Sequence, residues 1–434
     1  MRTSGTALSL FTGAMGLDLG LEAAGFRVIG AVDSNPRAAK TVARNRPDVP
    51  IFAGRIEDVS TEELLDLAGV DVGAVTVVSG GPSCQSFSTA GQRRSLGDPR
   101  GTLFREFVRV VTEAKPRFFV MENVRGILSA AIRHRPLAER GPGKPTLEPD
   151  ECYGSAFLSI LGELQATGYS LFFDLLNAAD YGAPQRRERL VIIGSRDGER
   201  IVFPKPTHAH APTGGLSPWV TLRQALEGLE DPVPVFTSLP PSKRDVMALI
   251  PEGGNWRDLP AERHPEILGR AFQSWGGRTG FYRRLSWDEP TPALTTRPDS
   301  KATMLCHPTE LRPLSIREYS RVQQFPDDWV FEGSVAQQYE QIGNAVPVGL
   351  GQVAGEAIRL ALRHVPGQAA PGRVYCDNAD LLRRLGQGAG TVLNPRRMRE
   401  GATDLTTTRS WMTGVHENRS RILEIVGPWV ASTC

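Results

Sequence analysis

The chain has 434 residues, 40% of them hydrophobic and 23% charged, which excludes a disordered chain, a collagen and a disulfide-stapled miniprotein. Fifty Lys and Arg against 48 Asp and Glu leave a formal net charge of +2, so a polybasic, histone-like protein is excluded while a local basic cleft is not. The cations are lopsided, six lysines against 44 arginines, so the positive charge sits on bidentate donors suited to phosphate and guanine.

At ~100–200 residues per domain the length allows two to four domains. Over the first 200 residues, strand-like and helix-like segments alternate. Strands are expected at Thr6–Phe11, Phe26–Asp33, Val49–Ala53, Val75–Ser79, Arg117–Glu122, Tyr169–Leu176 and Arg189–Ser195. Helices are expected at Gly16–Ala24, Pro36–Asn45, Thr61–Leu67, Thr102–Glu113 and Ala156–Thr167. This rhythm predicts an α/β fold with a doubly wound, mostly parallel sheet. Arg133–Glu151, rich in Pro, Gly and charge, reads as a long exposed loop. From Phe203 the texture changes, and residues 204–311, rich in Pro, Gly, Trp and Arg, read as a second, smaller, loop-rich domain. Helical spacing returns in Ile316–Gln324 and Val348–Leu362, so residues 312–362 are expected to complete the first domain, residues 1–203. Residues 363–434 form a C-terminal extension to which the sequence assigns no role.

The cysteines Cys84, Cys152, Cys306, Cys376 and Cys434 are scattered, odd in number and form no CxxC pair, so neither a disulfide framework nor a metal site is expected. A cytoplasmic location follows from that cysteine usage. Met1–Phe11 lacks the pattern of a signal peptide, and no stretch reaches the ~18 apolar residues of a membrane span.

Phe11-Thr12-Gly13-Ala14-Met15-Gly16 follows a strand and opens a helix, where small residues and free N–H groups admit a ligand. The glycine spacing is not GxGxxG, which disfavours a pyrophosphate cofactor such as NAD. Asp33 ends the second strand, twenty residues after Gly13, and an acid there accepts hydrogen bonds from ribose hydroxyls. A nucleoside cofactor without pyrophosphate fits better, and S-adenosylmethionine (SAM) is the obvious one. Gly80-Gly81-Pro82-Ser83-Cys84-Gln85 follows the fourth strand and Glu122-Asn123-Val124 ends the fifth, so Gly13, Asp33, Cys84 and Glu122 should share one sheet edge. Cys84 sits in a polar loop, the setting of a nucleophile rather than of a buried hydrophobe. The apolar run Phe118–Met121 implies partial burial of Glu122, which raises a carboxyl pKa and lets it donate a proton. In Gln185-Arg186-Arg187-Glu188-Arg189, period two puts Gln185, Arg187 and Arg189 on one side, able to orient a planar ligand or stabilise a thiolate; the plainer reading is a solvated charge run. Gln341–Pro347 is expected to open a helix, with Asn344 as its cap in the plain structural reading.

In this order the motifs resemble the DNA (cytosine-5)-methyltransferase family, across Leu8 to about Leu362. The pieces are FTGAMGLDLGLEAAGF, GGPSCQSFSTAG, MENV, QRRERLVIIG, RPLSIREYSRVQQFPDDW and QIGNAVPVGL. The resemblance implies a SAM-dependent, Rossmann-like catalytic domain and a target-recognition domain at 204–311, braced by Arg312–Val330. It implies that Cys84 attacks C6 of a flipped-out cytosine in a specific duplex DNA sequence, forming a covalent adduct. Glu122 would contact or protonate N3. Arg189, with Arg187, would hold the base and support the reactive loop. Phe11, Ala14, Gly16, Asp33, Ile56, Pro82, Leu103, Asn344 and Val346 would form the SAM pocket, with S-adenosylhomocysteine as product and no metal. It further implies a bacterial, monomeric enzyme of restriction–modification or phage defence, nucleoid-associated in use and served by a cognate endonuclease or defence proteins.

Three positions depart from the family pattern. Ser83 stands where Pro usually precedes the nucleophile, Asp33 where Glu is usual, and Arg55 where Asp is common, with Asp58 as a substitute. Other readings weighed are an RNA cytosine-5 methyltransferase of the same lineage and a catalytically weak DNA-binding repressor that keeps the fold.

Overall fold

The computed structural model describes residues 5–82, 102–136, 139–140, 143–273, 280–363, 366–378 and 380–381. Cys84 and most of its loop lie outside them, as do the last 53 residues.

The chain runs β1 (Gly5–Leu10), α1 (Gly16–Ala23), β2 (Phe26–Asp33), α2 (Pro36–Asn45), β3 (Ile51–Ala53), α3 (Thr61–Ala68), β4 (Val77–Gly80), α4 (Thr102–Ala114), β5 (Phe118–Val124), α5 (Ser155–Ala166), β6 (Ser170–Asn177), β7 (Gln185–Arg186) and β8 (Glu188–Ser195). It continues through β9 (His208–Ala209), β10 (Ser217–Pro218), α6 (Leu222–Leu226), α7 (Pro241–Ala248), α8 (His264–Leu268), β11 (Thr291–Pro292), α9 (Ile316–Val322), α10 (Val335–Asn344), α11 (Val348–Ala361) and β12 (Val374–Tyr375).

Local chemistry fixes many of the helix starts. Asn35 accepts the Arg37 N–H ahead of Pro36, which supplies the helical φ of α2. Ser60 with Glu63, Ser315 with Glu318 and Ser334 with Gln337 form reciprocal capping boxes at α3, α9 and α10.

Eight strands form one sheet in the order β12-β6-β8-β5-β4-β1-β2-β3. β8 runs antiparallel to both neighbours, and the other pairings are parallel. The order reverses between β1 and β4, which places the ends of β1, β2, β4 and β5 along the edge where ligands bind in open sheets. Both faces are covered. Leu8, Val78, Phe119 and Ile192 pack into one cluster with α4 and α5, and Ala7, Val77, Val120 and Ile193 into another with α1 and α11.

α11 lies almost in backbone contact with α1. A Cβ at Gly20 would fall 2.3 Å from the Val348 carbonyl oxygen, and one at Gly351 would fall 2.4 Å from the Leu17 carbonyl oxygen. No larger residue fits at either position without parting the helices, so α11 is a structural part of the layer that α1 forms on one face of the sheet. Residues 374–375 add an edge strand beside β6, and Ala369, Val374, Cys376 and Leu381 are buried there. Part of the segment expected to be an extension therefore belongs to the sheet.

The middle of the chain builds separate cores. Met247, Ile250, Trp256, Leu268, Tyr282 and Met304 form one, and Leu285, Leu294, Leu314 and Tyr319 belong to another shared with α9 and α10.

Candidate active site

The loop from Phe11 to Met15 turns sharply. Phe11, Gly13 and Met15 have φ of 55°, 56° and 69°, a left-handed backbone that is uncommon for the two side-chain-bearing residues. What holds it is visible. The Thr12 N–H donates to the Val32 carbonyl at 3.1 Å, and the Gly13 N–H donates to Asp33 Oδ2 at 2.7 Å. The other Asp33 oxygen accepts the Asn35 N–H at 2.7 Å. The Asp33 carboxylate thus joins the ends of β1 and β2, and each oxygen keeps a lone pair for a further donor.

The residues present fit a nucleoside cofactor. A Cβ at Gly13 would meet nothing within 4 Å, so the backbone there faces open space beside that carboxylate. Ile56 is buried, and Phe11 and Leu103 pack half-buried against the same cluster. Gly16 abuts the Val346 carbonyl, where a Cβ would fall 2.2 Å away. Ala14 is buried in the neighbouring core beside Ala345. Arg55 points outward and pairs with Glu57 at 2.9 Å.

Asn344 is the exposed last residue of α10, and Pro347, without a side-chain cap, precedes α11. The expectation that Gln341–Pro347 opens a helix with Asn344 as cap is corrected: the segment closes one helix and only its end opens the next.

Beyond β4, Gly81 lies over Glu122. A Cβ there would fall 2.9 Å from Glu122 Oε2, so only glycine leaves the carboxyl in place. Buried Pro82 accepts a long hydrogen bond, 3.4 Å, from Asn123 Nδ2. In the antiparallel β5–β8 pair, Val124 faces Arg189 and Glu122 faces Val191, which makes Glu122 and Arg189 diagonal neighbours. Arg189 Nε meets Glu122 Oε1 at 2.6 Å, and both side chains are nearly buried. Burial pushes the Glu122 carboxyl up, against the pull of Arg189 and Arg187. Burial likewise works against the charge on both arginines, but a guanidinium keeps its proton in proteins. The result is a carboxyl that holds its proton more tightly than an exposed one would, oriented by a fixed cation.

The alternation expected in Gln185–Arg189 is present, with Gln185 and Arg187 buried and Arg186 exposed. Yet Arg187 and Arg189 do different things. Arg187 donates from Nη1 to the Leu294 carbonyl at 2.9 Å and from Nη2 to the Gly343 carbonyl at 2.8 Å. It ties the sheet to the middle segment and to the end of α10. Gln185 bonds Gln323, whose amide in turn donates to the Ala345 carbonyl.

Arg109 on α4 was missed in the sequence. Its Nη2 donates to the carbonyls of Ile56 and Val59 at 3.0 and 3.1 Å and fixes the loop that carries Ile56. The sequence signal was faint, a cation flanked by Glu106 and Glu113 at helical spacing.

A mostly parallel sheet whose strand ends gather the Asp33 carboxylate, a left-handed glycine turn and a buried acid has the architecture of the Rossmann-like, SAM-dependent methyltransferases. Comparison with solved structures agrees: a DNA modification methyltransferase encoded within an Escherichia coli prophage shares the fold, with TM-score 0.56 at 23% identity over 83% of this chain and 99% of that one. Residues 5–359 match the model of the C-5 cytosine-specific DNA methylases, and the chain belongs to that family. Among curated relatives, the type II methyltransferase M.Sau96I of Staphylococcus aureus is 39% identical over 80% of this chain and 74% of its own length. M.Eco47II of Escherichia coli is 38% identical over 81% and 78%. The protein is therefore a DNA cytosine-5 methyltransferase, with DNA as substrate and SAM as methyl donor. No helix among the described residues is long and apolar enough to cross a membrane.

Proposed function

We propose that Cys84 is the nucleophile of this methyl transfer, with Glu122 as the acid and Arg189 as its orienting cation. The observation that carries the reading is the Glu122 carboxyl, buried against Gly81 only three residues before Cys84 and paired with Arg189. Cytosine C5 is a weak nucleophile. A bond from the Cys84 sulfur to C6 moves an electron pair toward C5 and N3, and a proton held by Glu122 at N3 prevents charge from building on the ring. Bound SAM supplies an electrophilic methyl group for C5. Loss of the C5 proton then returns an electron pair to the C5–C6 bond and expels the thiolate.

Asp33 holds the ribose, with Phe11, Ala14, Gly16, Ile56, Pro82, Leu103, Asn344 and Val346 around the rest of the cofactor. Arg187 acts on this site from behind, through Leu294 and Gly343. Residues 204–311 read the DNA and offset the few kcal/mol that flipping the base costs, and residues 312–362 complete the catalytic domain. The enzyme works as a monomer in the bacterial cytoplasm, in restriction–modification or phage defence, and its likeness to type II methyltransferases supports the first.

The test is covalent trapping on duplex DNA carrying 5-fluorocytosine at the target base. Wild type gives a stable adduct in the presence of SAM. C84S gives none and transfers no methyl group, yet binds SAM as wild type does. An adduct in C84S, or near-wild-type transfer, refutes the assignment.

A further inference from the structure

Arg109, in the middle of α4, uses every donor it has. Nε donates to Glu106 Oε2 at 2.7 Å. Nη1 donates to Thr61 Oγ1 at 3.0 Å and, at a longer 3.4 Å, to Glu113 Oε2. Nη2 donates to the carbonyls of Ile56 and Val59 at 3.0 and 3.1 Å. A guanidinium has five N–H groups, and all five are engaged. The bonds to Glu106 and Glu113 stay on α4 and orient the fork. The other three cross to the segment between β3 and α3. The Arg109 side chain is only 26% exposed, so water competes for these bonds less than it does at an open surface pair.

That segment has little regular structure of its own. Ile56–Asp58 forms a single 3-10 turn, and Ser60 then caps α3. Arg109 grips the turn at both ends, through the carbonyls of Ile56 and Val59, and grips the start of α3 through Thr61. Leu103 lies in the first turn of the same α4, six residues and so about 9 Å along the axis before Arg109. Ile56, Phe104 and Phe107 share one apolar cluster, and Leu103 packs against it. The helix that carries Leu103 therefore also holds the loop that carries Ile56.

SAM has one flat, largely apolar part, the adenine ring; its amino-acid end is charged and its ribose suits the Asp33 carboxylate. Apolar Ile56 and Leu103 suit the ring. Dispersion contacts need close approach, and a gap of about 0.5–1 Å forfeits a quarter to a half of each one. A drifting wall would thus weaken the hold on the base without touching the reacting atoms.

We propose that Arg109 is a positioning residue for the adenine end of SAM: by clamping the Ile56–Thr61 segment to α4 it fixes Ile56 relative to Leu103. It acts through the loop and not by touching the cofactor. The proposal rests on the reading of Ile56 and Leu103 as walls of the cofactor pocket. Lysine cannot substitute, because one ammonium on a flexible stem cannot meet both carbonyls and Thr61 in this fixed fork.

The experiment is calorimetric binding together with steady-state methyl transfer, on the full-length protein. R109M keeps the apolar stem and removes every donor. Its affinity for SAM is expected to fall about tenfold, with a matching rise in KM for SAM. Methylthioadenosine, which keeps the adenine and ribose but lacks the amino-acid end, should lose the same factor. At saturating SAM, kcat and DNA affinity should stay within about twofold of wild type. R109K should weaken SAM binding by a smaller factor. T61V cuts the arm that leaves both carbonyls in place, and should lower the unfolding temperature while keeping wild-type SAM affinity. Wild-type SAM affinity in R109M overturns the proposal. So does a kcat that falls as far as KM rises, or a T61V protein that loses as much SAM affinity as R109M, since either makes Arg109 a general brace. If R109M does not fold, wild-type SAM affinity in R109K overturns it. L103A separates the two levels. Wild-type SAM affinity in L103A sinks the pocket reading itself, whereas weaker binding in L103A with wild-type binding in R109M sinks only the role of Arg109.

Discussion

Replacing Asp18 by Asn should make the protein more stable, and more so at higher pH. In the unfolded chain an Asp ionises near 3.8; in the fold, burial keeps Asp18 neutral up to about 7. Between those values the unfolded state has released a proton that the native state still holds. The unfolded state therefore binds fewer protons, and stability falls as pH rises from about 4 to 7. At ~1.36 kcal/mol per pH unit, the full penalty is about 4 kcal/mol by pH 8, of which about 1–2 kcal/mol is already present at pH 5. Asn, with no proton to lose, escapes it. Urea-unfolding midpoints for wild type and D18N at pH 5 and pH 8 read the difference directly. The advantage of D18N should grow by about 2–3 kcal/mol between the two. An advantage that is the same at both pH values, or a D18N protein weaker than wild type at pH 8, would refute the claim that Asp18 is buried as the acid.

Glu122→Gln is expected to slow single-turnover methyl transfer by roughly 10²–10⁴-fold while DNA still binds in a gel-shift assay. Because burial raises the Glu122 carboxyl, the acid form persists above the usual 4.5, and the wild-type rate falls as pH climbs past the raised value. E122Q should lose that alkaline limb in stopped-flow profiles. Arg187→Lys replaces a planar fork by a point charge that cannot reach the Leu294 and Gly343 carbonyls together, and should cost about 2–3 kcal/mol in thermal unfolding. Gly351→Val should part α11 from α1, cost about 1–3 kcal/mol in denaturant titrations, and weaken SAM binding through the displaced start of α1.

The catalytic half was legible because its signals are local. β2 begins and ends where the apolar run does, at Phe26 and Asp33, and α2 is bounded by Asn35 and Pro36 at one end. The edge shared by Gly13, Asp33 and Glu122 followed from strand order. Other features depend on distant partners. Arg187 looked like one member of a charge run, and only the fold brings it the carbonyls of residues 107 and 156 positions away. Asp18 has the appearance of an ordinary acid in a first helical turn, and only the fold buries it, with Ser79 of β4 donating to its Oδ1. Asn344 was misread because the polar residues Gln337, Gln338, Glu340 and Gln341 mask the period of α10, whose buried members are Tyr339, Gln341, Ile342 and Gly343. The brief strand at Val374–Tyr375 is too short to leave a pattern, and its place is set by β6.

The glycine-to-glycine contact of α1 and α11 also has a meaning in time. Gly20 leaves the ribosome early, and its partner Gly351 follows roughly 330 residues later, which at ~5–20 residues per second is a wait of about 20–70 s. Throughout that interval the nascent chain carries a helix shaped for a neighbour that has not yet been made, and the turn at Gly13 lacks the backing that Val346 gives Gly16. The layer that α1 begins is thus completed late although it is encoded first. A chain that ends before α11 lacks this backing for the Gly13 turn and is expected to bind SAM more weakly than the full-length protein in a calorimetric titration.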